Sequence, residues 1–309
     1  MEQKNVVSAR MQVLFAAACM IACAGCQTPH TDESTPVVRH MEVNGMPLPY
    51  VEQGRGALLV LVHGAVSDLR TWERQRAALA AHYRTIAFTQ RYYGTAPWPA
   101  DWPQYRIGTH ADDLAAFIRG LGAGPAHLVA WSSGSHIVLN VALRNPELVR
   151  SVFVYEPVVP SYVDDPTELK AIGDDAGAMV GSVFSPMKAG DTKQAARLFI
   201  DGVAERSGYF DALPPAQQAI VLDNARVLPL MFDGGEQDAP ISCSQLAQFK
   251  PRVAIARGEK VRPFFRIIAD AAARCMPAAR RIVVPGAKHM WPGEDPIAFS
   301  QTVKGFVDG

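Results

Sequence analysis

Leu128-Val129-Ala130-Trp131 is an apolar run that stops at Ser132-Ser133-Gly134, where helical periodicity begins. Small residues stand two positions before and two positions after Ser132, namely Ala130 and Gly134. That spacing fits the G-x-S-x-G turn, in which a strand reverses sharply into a helix and leaves a serine hydroxyl exposed; Ala130 replaces its first glycine. Such a hydroxyl can act as a nucleophile, because the helix N-terminus favours negative charge developing near it. The plainer reading is a serine that caps the helix. The nucleophile reading makes demands elsewhere: a base to take the proton, an acid to orient the base, and donors for an oxyanion.

Two other strand ends answer those demands. Leu61-Val62-His63-Gly64-Ala65 closes an apolar run in a turn, from which the Ala65 backbone N–H, together with that of Ser133, would hold an oxyanion. Near the C-terminus, Val283-Val284-Pro285-Gly286-Ala287-Lys288-His289 sets a histidine in the loop after the last strand. Of the 8 histidines, His289 is the best placed to relay a proton, and His63 is expected to shape the oxyanion turn. His30, His40, His82, His110, His127 and His136 are expected on the surface or in structural roles.

The elements that must position these groups alternate. Val38–Val43 and Leu48–Gln53 flank Asn44-Gly45, a hairpin signal. Ala57–Val62, Thr85–Thr89, Ala126–Trp131, Ser151–Tyr155, Arg252–Arg257 and Arg281–Val284 read as further strands. Helical patterns cover Leu69–Ala81, His110–Leu121, Gly134–Arg144, Pro263–Arg274 and Pro296–Val307. The alternation breaks at about 158–240, which shows no strand pattern and carries helical segments near Thr192–Glu205 and Pro215–Leu228. So long a loop without structure is implausible in a compact domain, so the stretch reads as a helical lid. The expected class is α/β, a mostly parallel sheet covered on both faces.

With the hairpin, His63-Gly64, Arg91-Tyr92-Tyr93-Gly94, the serine turn and Gly286-x-x-His289 in place, residues 38–309 resemble the α/β-hydrolase fold family. More narrowly, they resemble its lidded esterases, C–C hydrolases and haloperoxidases. The resemblance implies an eight-stranded sheet with the lid inserted after the sixth strand. It also implies an acid after the strand preceding the histidine strand, in a turn like G-x-x-D. Here that turn reads Gly258-Glu259-Lys260-Val261, with Val261 in the usual acid position. A variation within the fold puts the acid one strand earlier, where this chain has Val154-Tyr155-Glu156-Pro157. The expected triad is therefore Ser132, His289 and Glu156, with Glu259 as the alternative acid.

The resemblance further implies a serine hydrolase acting on a small to medium carboxylic ester or lactone. A C–C bond hydrolase or a cofactor-free haloperoxidase or perhydrolase would use the same residues. Epoxide hydrolase and haloalkane dehalogenase readings are disfavoured, since those relatives carry an aspartate where this chain has Ser132. A ligand-binding protein without turnover is the competing class, because fold alone does not fix function. Trp131, Tyr92 and Tyr93 are the expected walls of an apolar substrate pocket, and Asn224 and Arg226 are candidates to face it from the lid. No metal-ligand or phosphate-cradling motif occurs, so neither metal nor cofactor is expected.

Lys4 and Arg10 precede the uncharged stretch Met11–Gly25, which ends in Cys23-Ala24-Gly25-Cys26. This resembles a bacterial lipoprotein signal, with Cys26 as the lipidated residue, residues 1–26 as the signal and 27–37 as a tether. It implies an exported chain held to a membrane by its lipid and facing the periplasm. The 309 residues balance 30 Lys and Arg against 30 Asp and Glu, which argues against nucleic-acid binding. The expected partner is an apolar, ester-like small molecule. Cys243 and Cys275 could pair in an exported domain, a question that spacing leaves open.

Overall fold

Asn44 and Gly45 take positive φ values of 46° and 77°, as a tight two-residue hairpin requires. They join β1 (Arg39–Val43) to β2 (Met46–Gln53), with Val43 opposite Met46. The computed structural model describes residues 37–99, 101–232 and 239–309. The signal-like segment, Cys26 and all but the last residue of the tether lie outside the described residues.

β3 (Leu58–Val62), β4 (Arg84–Phe88), β5 (Ala126–Trp131), β6 (Val149–Tyr155), β7 (Arg252–Gly258) and β8 (Arg280–Val284) complete an eight-stranded sheet in the order β1-β2-β4-β3-β5-β6-β7-β8. β1–β2 and β2–β4 are antiparallel, and the other neighbours are parallel. The central strands read as continuous apolar runs because both faces are covered. In β3, Val60 and Val62 pack with helices Ile107–Gly120 and Gly134–Arg144, while Leu59 and Leu61 pack with Trp72, Phe299 and Phe306 on the other face. The period of two thus divides one strand between two cores.

Among the described residues no strand lies between β6 and β7. Helices Pro166–Val180, Thr192–Ala204 and Pro215–Asp223 fill the interval and share an apolar cluster that includes Val180, Phe199, Val203, Val221 and Leu228. The first of these three was not expected from periodicity. Its signal was present in Asp165-Pro166, whose Asp165 carboxylate caps the amides of Thr167 and Glu168 while Pro166 opens the first turn. The expected helix over 215–228 is broken at Asn224, and the expected helix over 69–81 divides at Trp72. Cys243 and Cys275 form a disulfide with Cα atoms 5.1 Å apart, tying the lid's C-terminal end to helix Pro263–Cys275.

Candidate active site

Ser132 sits between β5 and helix Gly134–Arg144 with φ of 55°, a left-handed conformation that is uncommon for a residue bearing a Cβ. Its amide continues the sheet ladder by donating to the Tyr155 carbonyl at 3.0 Å. The turn closes so tightly that a Cβ on Gly134 would lie 2.6 Å from the His63 carbonyl oxygen and 2.7 Å from that of Val62. A Cβ on Gly64 would lie 3.1 Å from Ser132 Cβ. Gly134 is therefore demanded by the approach of the His63-Gly64 turn, and Gly64 leaves little room for a side chain beside the serine.

That turn is held by His63. Its Nδ1 donates to the Gly64 carbonyl at 2.9 Å, and its Nε2 accepts from the Gln90 amide at 3.1 Å. Burial pushes the His63 pKa down to about 4, so the ring is neutral and serves as a brace, as expected. Ala65 follows on the cavity wall, and Val66 takes φ of 43°, an outlier for a β-branched residue. The amides of Ala65 and Ser133 meet no protein acceptor among the described residues.

β6 ends in Glu156, also left-handed at φ 51° and fully buried. One carboxylate oxygen accepts the Gly258 amide at 2.8 Å, and the other accepts His289 Nδ1 at 2.6 Å. That bond leaves Nε2 as the lone-pair nitrogen of a neutral His289. The same buried carboxylate also acts on Tyr155, whose hydroxyl proton it helps to retain. The loop carrying His289 is steadied by Tyr155, whose hydroxyl donates to the Lys288 carbonyl at 2.7 Å. Glu259, the alternative acid, is exposed and accepts the Gly286 amide at 2.8 Å, so it braces the histidine loop without reaching the imidazole.

Ser132 and His289 line one cleft with about 300 Å³ of empty space. Its other walls are Gly64, Ala65, Ser67, Trp131, Met290 and the lid residues Phe199, Ile200 and Val203. No Asp, Glu, Lys or Arg is among these lining residues. Trp131 thus lines this cleft, whereas Tyr92 and Tyr93 are not among its walls. Tyr92 is drawn into a knot of rings with Trp98 and Trp102, at 5.4 and 5.2 Å. Tyr93 packs edge-on against His63 and shares a hydroxyl hydrogen bond with Tyr105 at 2.9 Å. The sequence shows that these rings are apolar and near the site, but not which side of the His63 turn they fill.

Asn224 and Arg226 also miss the cleft. Asn224 is fully buried and clamps the lid down: Nδ2 donates to Asp68 at 2.7 Å and to the Ile220 carbonyl, while Oδ1 accepts the Gly94 amide at 2.5 Å. Arg226 donates to the carbonyls of Gly94 and Ala96. Burial pushes the Asp68 carboxyl up, but hydrogen bonds from Arg70 and Asn224 outweigh it and hold its pKa below the usual value. The lid walls Phe199, Ile200 and Val203 were legible only as an amphipathic helix; which part of its apolar face meets the cleft depends on packing.

Residues 57–197 match a family described as alpha/beta hydrolase fold. The 2-(acetamidomethylene)succinate hydrolase of Mesorhizobium japonicum is 28% identical over 283 residues, spanning 88% of this chain and 95% of that enzyme. Among solved structures, a carboxylesterase from Bacillus subtilis superposes with a TM-score of 0.70 at 20% identity, covering 89% of this chain and 92% of the other. An enol-lactonase from Burkholderia xenovorans gives 0.68 at 19% identity, over 87% of this chain and 100% of the other.

Proposed function

We propose that this enzyme, a hydrolase of the α/β-hydrolase fold, is a serine hydrolase acting on a small to medium carboxylic ester or lactone through an acyl-enzyme on Ser132. One observation carries the reading: the Glu156–His289 hydrogen bond orients the imidazole on the wall of the same cleft that the strained Ser132 turn enters. In the proposed cycle Ser132 Oγ attacks the carbonyl carbon as His289 Nε2 takes the hydroxyl proton. The amides of Ala65 and Ser133 stabilise the tetrahedral oxyanion. His289 then returns the proton to the leaving alkoxide, and water repeats the sequence on the acyl-enzyme.

The cleft supports a neutral substrate. Its lining is apolar apart from backbone, Ser67, the Trp131 indole, Ser132 and His289, so an anion would find no counter-charge there. The succinate derivative named for the Mesorhizobium enzyme is an acid, whereas the esterase and lactonase relatives agree better with this cleft. Labelling with a fluorophosphonate, followed by turnover of esters and lactones of graded chain length, tests the reading. Wild-type protein is expected to label and turn over, and Ser132→Ala to do neither. A folded wild-type protein that resists the probe would leave ligand binding without turnover as the better account.

We further propose, from the N-terminal run that ends in Cys23-Ala24-Gly25-Cys26, that the enzyme is exported and anchored through Cys26. The Cys243–Cys275 disulfide supports an oxidising compartment. Incorporation of labelled fatty acid, abolished in Cys26→Ser, is the expected result; unlabelled wild-type protein would remove the anchor from the proposal.

A further inference from the structure

The imidazole of His289 lies face to face with the ring of Phe265, centroids 3.8 Å apart and planes 6° from parallel. Its other aromatic neighbour, Trp131, stands 5.5 Å away at 45°. Glu156 therefore settles which nitrogen carries the proton, while Phe265 settles the plane of the ring. We propose that Phe265 is a positioning residue for His289, and that its π face also favours the imidazolium formed when Ser132 gives up its proton. This rests on the serine-hydrolase reading above.

The quadrupole of an aromatic face attracts a cation lying within about 6 Å of its centroid. A neutral imidazole gains little from that field, so the stack strengthens as the proton arrives and acts on the transition state more than on the resting enzyme. Both rings are buried, His289 at 3% and Phe265 at 1% exposure, so water and salt do little to screen the effect.

The lid holds Phe265 in place. Pro263 opens helix Pro263–Cys275, and Arg262 just before it donates to the two Asp175 carboxylate oxygens at 2.7 and 2.8 Å. Arg262 also donates to the Gly202 carbonyl at 2.6 Å, and Asp175 accepts the Phe264 amide at 2.9 Å. Asp175 and Gly202 belong to lid helices Pro166–Val180 and Thr192–Ala204. Phe265 itself packs in the lid's apolar cluster with Val66 and Val261. The insertion thus covers the cleft and also fixes the ring on which the base rests.

Titratable or charged groups are carried by each element packed against the imidazole. Glu156 and Tyr155 come from the end of β6, Ser132 from the elbow, Lys288 from its own loop, and Arg262 from the start of the Phe265 helix. Tyr155 is held protonated by burial and by the Glu156 charge. Arg262 is paired with Asp175.

The test compares the pH dependence of kcat and kcat/KM on an activated ester for wild type, Phe265→Leu and Phe265→Tyr, with fluorophosphonate labelling and thermal unfolding of the same preparations. Phe265→Leu is expected to lose kcat on the order of tenfold with KM nearly unchanged, and to shift the acid limb of kcat/KM down by about half a pH unit or more. Phe265→Tyr keeps the ring face and is expected to stay near wild type. Phe265→Met carries the same comparison if Phe265→Leu does not fold. A folded Leu or Met variant with the wild-type acid limb overturns the proposal, as does an equal loss in the Tyr variant. A wild-type protein that neither labels nor turns over esters defeats the parent reading, and the proposal with it.

Discussion

The strand ends and the lid hold their parts of the site by different physics. Ser132 and Glu156 stand in left-handed backbone at the tips of adjacent parallel strands, fixed by main-chain bonds such as Ser132 N to Tyr155 O and Glu156 N to Ala256 O. The lid meets the sheet domain through a few buried or half-buried polar clamps: Asn224 on Asp68 and Gly94, Arg262 on Asp175, and Tyr209 on Glu294. Removing one side chain at a strand end should therefore spoil chemistry and leave the fold intact. Removing one clamp should loosen a segment and affect chemistry second-hand. The proposed Phe265 stack is where the two meet.

The largest expected effect separates the two glutamates. Glu156→Gln keeps the side-chain shape but removes the charge that stabilises the imidazolium and fixes its tautomer, so kcat should fall about a thousandfold or more. Glu259→Gln should stay within about threefold, since its single bond to the Gly286 amide is at the surface. Steady-state kinetics on an activated ester measure both. A Glu259→Gln enzyme that loses turnover while Glu156→Gln keeps it would reverse the assignment.

A smaller effect is expected from the lid. Asn224→Ala removes a donor from buried Asp68 and an acceptor from the Gly94 amide, costing about 1–3 kcal/mol. Because those bonds tie a local segment, hydrogen exchange should speed up around Pro215–Phe232 before it does in β5 or β6. Asn224→Asp should be worse, since it sets a second carboxylate against Asp68. Uniform loss of protection through lid and sheet would mean that the two regions unfold as one unit.

The same contrast governs what the sequence discloses. Strand ends are local: an apolar run, a small-x-Ser-x-small turn and Gly286-x-x-His289 carry their geometry within a few residues, so Ser132, His289 and both acid candidates were legible. Val261 at the usual acid position already favours Glu156 over Glu259. What the sequence could not show is the register of β6 beside β7, which puts Tyr155 level with Ala256, and the exposure of Glu259 in its turn. The lid clamps join residues more than 80 positions apart, as in Arg262 to Asp175 and Asn224 to Asp68. Nothing local distinguishes those side chains from ordinary surface polar residues. Tyr92 and Tyr93 were misplaced for the same reason, since an aromatic pair after a strand shows burial but not direction.

The effect furthest from the chemistry concerns pH and falls on the sheet side. His110 is buried among Tyr92, Tyr93 and Tyr105, neither ring nitrogen has a hydrogen-bond partner among the described residues, and burial pushes its pKa down to about 3. His63 is pushed down to about 4 by the same cause. Below the ordinary histidine value of about 6.5 the unfolded chain takes up protons that the folded protein refuses, so stability falls as pH drops toward these lowered values. Asp68, also lowered, favours the fold at neutral pH and withdraws that support only below the ordinary carboxylate range. Acidification from pH 6.5 to 4 should thus weaken the histidine-bearing sheet region before Asp68 loses its charge. His110→Phe offers a ring of similar size to an aromatic cage and removes one of those proton acceptors. Its denaturant-derived stability should fall less steeply over that interval, by at most about 1.4 kcal/mol per pH unit. Equal slopes in the two proteins would mean that His110 reaches a proton or a partner in the folded state, and that the acid sensitivity lies elsewhere.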